Sequence, residues 1–149
     1  MTTILKKIYN LIPFKRELFK IIRFFGKPKK SIYKHLHFKG VISVDVEKND
    51  HFKIHHRGHH IENELFWSGI ENGFEKLSIA LWIKLSKKAN VIFDIGSYSG
   101  LYALTSARLN PSSKIYAFEP MEHNFNLLNE NIKLNNYQNI VSVKKACSN

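Results

Sequence analysis

The sequence has a single cysteine, Cys147, among its 149 residues, so no internal disulfide can form. A fold that does not depend on disulfides is typical of a reducing compartment, and we expect a cytoplasmic protein. Long hydrophobic runs are also missing, because no stretch reaches the roughly 20 apolar residues that a membrane-spanning helix requires. The short run IYNLIPF lies between basic residues and precedes no small-residue cleavage site, so no secretory signal peptide is predicted.

Acidic residues are scarce in the first 60 residues, which hold 14 Lys and Arg against 4 Asp and Glu. The remaining 89 residues hold 9 against 8, so the net charge of +11 comes almost entirely from the N-terminal segment. A basic segment of this kind can contact phosphate, an anionic membrane or an acidic partner, or it can be a solvated surface. It contains no recognised RNA-binding motif and no clear aromatic stacking platform, which makes nucleic-acid binding the weaker alternative.

Pro13 divides the first 29 residues into two short helical segments and fits the first turn of the second. That second segment carries an apolar stripe of Leu18, Ile21, Ile22 and Phe25. Basic residues occupy the other positions, so the segment is amphipathic. Two roles follow: residues 1–30 make peripheral contact with a membrane surface, or the stripe packs against the rest of the protein.

Residues 38–57 change from a helical to an alternating pattern, in which Ile42, Val44 and Val46 recur at every second position. The cluster EKND is typical of a turn, and HFKIHHR resumes the alternation, so a β-hairpin is predicted. Seven of the eight histidines lie between His35 and His60. Their spacing matches no established set of metal ligands, and neighbours on a strand face opposite ways, so we expect no metal site. We interpret the histidine-rich segment 35–60 as a polar or substrate-facing surface.

Helical and extended patterns alternate in the rest of the chain. The segment NGFEKLSIALWIKLSKK predicts a helix with an apolar face of Phe74, Leu77, Leu81 and Leu85. A strand at 91–94, a helix to about residue 108, the strand KIYAFEP, the helix HNFNLLNENIKLNN and the strand NIVSVKKA follow. This order predicts an α/β, Rossmann-like fold with the first strands of a parallel, doubly wound sheet. We divide the chain into a basic helix and hairpin segment, 1–65, and a sheet domain, 66–149.

The stretch VIFDIGSYSGLYAL carries the chemistry. In a parallel sheet, ligands bind at the carboxyl ends of the strands, where Asp94 and the turn after it lie. Gly96 allows a sharp turn and a close ligand, and Gly100 allows the next helix to pack closely. The helix N-terminus suits an anionic group such as a carboxylate. Glu119 ends the next strand, 19 residues after Gly100, where an acid can accept hydrogen bonds from ribose hydroxyls.

The spacing of the glycines indicates which nucleoside compound is bound. A dinucleotide site would have G-x-G-x-x-G, whereas this turn is G-x-x-x-G after an aspartate. Asp94 would repel a phosphate but suits a cationic amine. S-adenosylmethionine combines an amine, a carboxylate and a ribose, and therefore fits all three features. The structural alternative is that Asp94 and Glu119 only cap loops at the strand ends.

Four successive motifs resemble those of the FkbM family of S-adenosylmethionine-dependent methyltransferases: VIFDIGSYSGLYAL, KIYAFEP, NFNLLNENIKLNN and VKKACSN. The upstream HFKG, IENELFWSG and FEKLSIALW are similar to the lead-in of that family, so the resemblance covers roughly residues 39–149. One departure is that the family commonly has Ala-Asn where this chain has Ser97-Tyr98.

The resemblance implies a cofactor site of ten residues. Asp94 and Gly96 would contact the methionine portion, and Glu119 would hold the ribose. Pro120 and Met121 would lie near the adenine. The remaining members of the set are Ser97, Tyr98, Gly100, Ala146 and Cys147.

The resemblance further implies methylation of a hydroxyl on a sugar or natural product, with a small molecule or glycan as acceptor. It also implies that the chain corresponds to the N-terminal portion of such an enzyme, because a complete sheet of this kind has seven strands. No residue matches a catalytic base, so we expect little turnover from these 149 residues alone. The alternatives are a non-catalytic nucleoside-binding module and a basic RNA-binding or RNA-modifying protein.

Overall fold

The computed structural model describes residues 12–73 and 75–147. Their elements in chain order are α1 (Lys15–Phe25), α2 (Lys30–Tyr33), β1 (Gly40–Glu47), β2 (Asp50–His56), α3 (His60–Ser68), α4 (Lys76–Ser86), β3 (Val91–Ile95), α5 (Leu101–Leu109), β4 (Lys114–Phe118), α6 (Glu122–Leu134) and β5 (Ile140–Val143). The predicted helical segment before Pro13 falls on residues 1–11, outside the described ones.

Strands β3, β4 and β5 form a parallel sheet in that order, with Ile92 opposite Ile115 and Ile115 opposite Ile140. These three side chains lie on one face and share a hydrophobic core with α5 and α6. The strand–helix alternation and the parallel pairing confirm the predicted α/β, Rossmann-like fold. The carboxyl ends of the three strands consequently meet at one edge of the sheet.

The opposite face of this sheet is apolar and exposed in the described part of the chain. Val91, Phe93 and Ile95 of β3 are 50%, 57% and 65% exposed. The ring of Phe93 stacks on those of Tyr116 and Phe118, at centroid distances of 5.4 and 6.3 Å. The described helices α5 and α6 thus cover one face of the sheet only.

Strands β1 and β2 form the predicted antiparallel hairpin, with Ile42 opposite Ile54 and Val44 opposite Phe52. The alternation is confirmed, because Ile42, Val44 and Val46 are all buried. Asn49, at φ +72°, makes the turn. The hairpin packs against α6, and its buried side chains share one hydrophobic cluster with those of the parallel sheet. The division at residue 65, which lies inside α3, stays a prediction.

Helix α1 does not pack through the whole of the predicted apolar stripe. Packing against the rest of the protein is wrong for Leu18, Ile21 and Phe25, which are exposed, whereas Ile22 is partly buried against the core. Phe19 is buried instead, and its ring lies 5.6 Å from that of Trp67. Phe19 faces inward because its ring packs against those of Phe38 and Trp67, and a buried aromatic ring gains more contact than a leucine side chain would. Membrane contact through residues 1–30 stays a prediction.

The predicted helix is present as α4, but its leucine face is exposed. Leu77, Leu81 and Leu85 are 80%, 58% and 60% exposed, and Phe74 lies outside the described residues. Ile79 is buried, and Trp82 faces α5. The indole N–H of Trp82 donates to the Tyr102 carbonyl oxygen at 3.1 Å and to Ser106 Oγ at 2.7 Å. Because a buried indole N–H needs an acceptor, these two bonds hold the Trp82 side of α4 against α5.

Of the hairpin histidines, His56 is buried and stacks on Phe38 at a ring-centroid distance of 4.1 Å. Its Nδ1 accepts a hydrogen bond from Gly58 N–H at 3.1 Å. Burial lowers the pKa of His56 to about 4. The described residues contain no group of three or more His, Cys, Asp or Glu side chains that could hold a metal ion. Nor is any helix in these residues both long and apolar enough to cross a membrane.

The buried His56 predicts a pH-dependent stability. Between pH 6.5 and about 4, the unfolded chain binds a proton at His56 that the folded chain does not. The free energy of unfolding should therefore be highest above pH 6.5 and decline as the pH falls, by up to about 1.4 kcal/mol per pH unit from this residue. Urea denaturation at pH 7.5, 6 and 5 would measure the decline.

The matched variant is His56→Phe, which keeps an aromatic ring against Phe38 and cannot titrate. Carboxyl groups with a raised pKa, such as Asp94, act in the opposite direction in both proteins and cancel in the comparison. We expect the stability of the wild type relative to the variant to fall with pH. A difference that stays constant from pH 7.5 to 5 would contradict the assignment.

Candidate functional site

The turn after β3 is held against the end of β4 by backbone hydrogen bonds. The N–H groups of Gly96 and Ser97 both donate to the Phe118 carbonyl oxygen at 2.9 Å. Three residues have the positive φ that L side chains disfavour: Gly96 at +81°, Tyr98 at +50° and Gly100 at +92°. Two of the three are glycines, which explains their spacing in the sequence. Tyr98 adopts the conformation at an energetic cost.

Gly100, the N-cap residue of α5, lies directly against Leu128 of α6. A Cβ built on it would lie 2.7 Å from Leu128 Cδ1, and Leu128 is fully buried in α6. At Gly96, by contrast, an added Cβ would meet nothing within 4 Å, and the residue is exposed. Gly100 therefore serves the packing of α5 against α6, whereas Gly96 leaves room beside the turn.

Asp94 is buried and faces the start of α5. Its Oδ2 accepts a hydrogen bond from Ala103 N–H at 3.1 Å, and Ala103 is in the first turn of that helix. Burial raises the pKa of Asp94 to about 6, and nearby Glu119 adds to the rise. The carboxylate thus stabilises the helix N-terminus and brings a buried negative charge beside the turn.

Glu119 links the turn to the N-terminus of α6. Its Oε2 accepts from Tyr98 N–H at 2.9 Å, and its Oε1 accepts from Met121 N–H at 3.0 Å and from Asn124 Nδ2 at 3.3 Å. Glu119 is only 4% exposed, so these bonds are made in a dehydrated environment. Glu119 is therefore in direct contact with the turn, and that the two together form a cofactor site stays a prediction.

The other predicted site residues lie along the same edge of the sheet. Pro120 and Met121 are exposed between β4 and α6, with Met121 62% exposed. Ala146 and Cys147 are exposed beyond the end of β5, and the Cys147 thiol is free. Ser97 is buried and its hydroxyl donates to the Asp94 carbonyl oxygen at 2.8 Å.

Tyr98 lies beside His59, which is not among the site residues predicted from the sequence. The two ring centroids are 6.3 Å apart, and the ring of His59 is in turn 6.3 Å from that of His123. Burial raises the pKa of Tyr98, and the charges of Glu62 and Glu119 raise it further. The phenol is therefore a neutral, half-buried group next to two carboxylates.

Two buried residues at the turn were missed because their partners are distant in sequence. Asn131 of α6 donates from Nδ2 to the Ser99 carbonyl oxygen at 2.8 Å and accepts from His55 N–H at 2.9 Å. Glu62 of α3 is wholly buried near Ser99 and Tyr98. In the sequence, the signals are Glu62 in the motif IENELFWSG and Asn131 in the predicted helix HNFNLLNENIKLNN, and neither pattern indicates burial.

The arrangement is chemically suited to a cationic ligand with hydroxyl groups. Asp94, Glu62 and Glu119 are buried carboxyl groups around one turn, and the ion pairs of the described residues involve other acids. Burying a charge without a partner is costly, so such a cluster favours a ligand that brings positive charge.

Comparison with solved structures finds similarity to methyltransferases. One is the precorrin-6y C5,15-methyltransferase from Geobacter metallireducens, with 22% identity, a TM-score of 0.40, and coverage of 44% of this chain and 36% of that one. A second is the SAM-dependent methyltransferase from Agrobacterium tumefaciens, with 10% identity, a TM-score of 0.48, and coverage of 71% and 32%. A third is M. jannaschii TYW2 in complex with AdoMet, with 20% identity, a TM-score of 0.46, and coverage of 72% and 43%.

The chain spans between about a third and two fifths of the length of these three proteins. Similarity at this level assigns no activity to the chain. No family model matches the sequence, and no curated protein matches it.

Proposed function

We propose that this chain is the cofactor-binding part of an S-adenosylmethionine-dependent methyltransferase. One observation carries the proposal: Glu119 accepts the N–H of Tyr98, so the glycine turn and the acid at the end of the next strand form one unit. A turn that lets a ligand approach the backbone, followed by an acid for ribose hydroxyls, is the arrangement that a nucleoside ligand requires.

The described residues fit the two ends of such a cofactor. Gly96 leaves open space beside the turn, since a Cβ there would meet no atom within 4 Å. The N-terminus of α5 favours a carboxylate, and the negative charge of Asp94 favours an amine nearby. A phosphate at the same place would be repelled by Asp94, which argues against a dinucleotide.

Glu119 keeps capacity for the ribose. A carboxylate accepts about four hydrogen bonds, and Glu119 already accepts three, from Tyr98, Met121 and Asn124. The bond from the Asn124 amide is the longest, at 3.3 Å. We expect one ribose hydroxyl to use the remaining lone pair and the second to replace the Asn124 side chain.

The acceptor is proposed to be a hydroxyl of a small molecule or glycan, as the resemblance to the FkbM family implies. The cofactor, when bound, supplies a methyl group on a positively charged sulfur. The residues of this chain would bind and orient it, because methyl transfer depends on the alignment of nucleophile, methyl and sulfur. Pro120, Met121, Ala146 and Cys147 would line the adenine side.

The test is binding of S-adenosylhomocysteine, the demethylated cofactor, compared with NAD. Isothermal titration calorimetry should show tighter binding of S-adenosylhomocysteine. Glu119→Ala should weaken that binding by roughly 1–3 kcal/mol, because the ribose hydroxyls lose a charged acceptor. The melting temperature of the variant, measured in parallel, reports the loss of the bonds from Tyr98 and Met121.

The matched control is Glu122→Ala, which removes an exposed acid three residues further along the same edge. We expect its affinity for S-adenosylhomocysteine to equal that of the wild type. Tighter binding of NAD would overturn the cofactor assignment, and an unchanged affinity in Glu119→Ala would place the ribose elsewhere.

A further inference from the structure

Glu62 is a buried acid that has neither an ion-pair partner nor a hydrogen-bond partner among the described residues. It lies in the first turn of α3, its residue surface is 0% exposed, and neither carboxylate oxygen has a hydrogen-bond partner. Glu64, two residues on, is buried too, but it pairs with Lys30 at 2.8 Å and accepts a hydrogen bond from the Tyr33 hydroxyl at 3.1 Å. The same helix thus carries one buried carboxylate with partners and one without.

The position of Glu62 connects it to the glycine turn. The hydroxyl of Ser99 lies near enough to lower its pKa, although the two do not complete a hydrogen bond, and Ser99 Oγ is itself buried and unpaired. The charge of Glu62 also raises the pKa of Tyr98, and the basic residue whose charge lowers the pKa of Glu62 is His59. Two unpaired polar groups therefore face each other behind the turn.

Capping of α3 is the structural explanation for an acid at this position. Glu62 is the third residue of the helix, and a glutamate there commonly accepts the N–H of the N-cap residue, here His59. The N–H groups of His59 and Glu62 do lower the pKa of the carboxyl group, yet neither forms a hydrogen bond with its oxygens. Burial outweighs them and raises the pKa. Capping alone leaves the carboxylate largely unsatisfied.

We infer that Glu62 is a binding residue for the ammonium group of the cofactor's amino-acid portion. The inference rests on the proposed function, because it assigns a partner within the same site. An ammonium has three donors, which would satisfy the free Glu62 oxygens and balance a charge that Asp94 and Glu119 otherwise reinforce. Tyr98 lies close enough for the charge of Glu62 to raise its pKa, and its ring packs edge-on against His59, so we expect the ligand to displace this ring.

The experiment compares two ligands on the wild type and three variants. S-adenosylhomocysteine carries the ammonium, whereas 5′-deoxy-5′-methylthioadenosine has the same nucleoside and no amino-acid portion. Glu62→Gln removes the charge but keeps the size, and glutamine also suits the third position of a helix. Relative to the wild type, calorimetry on Glu62→Gln should show at least a tenfold loss of affinity for S-adenosylhomocysteine and a change of less than twofold for methylthioadenosine.

Glu64→Gln is the matched control, because it removes a buried charge from the same helix without touching the turn. We expect both of its affinities to stay within twofold of the wild type. Glu62→Asp keeps the charge and withdraws it by one methylene, so it should lose less affinity for S-adenosylhomocysteine than Glu62→Gln. If Glu62→Gln does not fold, the same two affinities are measured on Glu62→Asp instead.

The outcomes separate the inference from the proposed function. If the wild type binds neither nucleoside, the cofactor assignment fails and the role of Glu62 fails with it. If the wild type binds both and Glu62→Gln weakens them equally, Glu62 supports the fold only and the inference is overturned while the cofactor stands. An unchanged affinity for S-adenosylhomocysteine in Glu62→Gln overturns the inference in the same way.

Discussion

Replacing Gly100 by alanine is expected to destabilise the protein by about 3 kcal/mol. Part of the loss comes from the backbone, since φ is +92° and an L side chain costs about 1–2 kcal/mol there. The rest comes from the new Cβ, which would lie 2.7 Å from Leu128 Cδ1. Leu128 is fully buried, so it can yield only by repacking the core, at about 1–3 kcal/mol. Urea denaturation followed by circular dichroism measures the change.

A second glycine separates these contributions. Gly96 also has a positive φ, +81°, but an added Cβ there would meet nothing within 4 Å. Gly96→Ala should therefore cost only the backbone part, about 1–2 kcal/mol. If Gly100→Ala is no more destabilising than Gly96→Ala, the close contact between Gly100 and Leu128 is not as the structure has it.

The elements that the sequence predicted well are those with a strictly local signal. In the hairpin, apolar residues at every second position require one buried face, whatever the rest of the fold is. Helix α6 likewise has apolar residues four positions apart, Leu128 and Ile132, which lie on one helix face and are both buried. The glycine turn and Glu119 were also identifiable, because positive φ and a strand-end acid restrict the residue types locally.

The inward faces of α1 and α4 could not be chosen from the sequence. Helix α4 has apolar residues on more than one side, so its periodicity is compatible with two orientations. The observed one is decided by Trp82, whose N–H needs the acceptors that α5 supplies. That choice depends on the surface of another helix, which no local pattern encodes.

The missed site residues share the same cause. Asn131 and Glu62 lie 32 and 37 positions from Ser99, the residue that brings both to the turn. In the sequence, an asparagine or a glutamate in a helix is most simply read as a surface residue. Only burial shows that each must have a partner, and burial is set by how α3 and α6 pack against the turn.

Asn131 provides the second large expected effect. Its side chain joins β2, α6 and the glycine turn, through His55 N–H at 2.9 Å and the Ser99 carbonyl oxygen at 2.8 Å. Leucine has nearly the same volume but can pair with neither group. Asn131→Leu should therefore leave two backbone groups unpaired and lower the free energy of unfolding by about 2–5 kcal/mol, measured by urea denaturation.

Asn135, one turn further along α6, is the matched control because it makes equivalent bonds to the hairpin. Its Oδ1 accepts from Lys53 N–H and its Nδ2 donates to the Lys53 carbonyl oxygen, both at 2.7 Å, but at an exposed position. Water can replace those bonds, so Asn135→Leu should cost less than about 1 kcal/mol. Asn131 is 0% exposed, and no water can take its place without opening the core. Equal losses in the two variants would mean that burial does not set the strength of this connection, and that the turn is not held to the hairpin through Asn131.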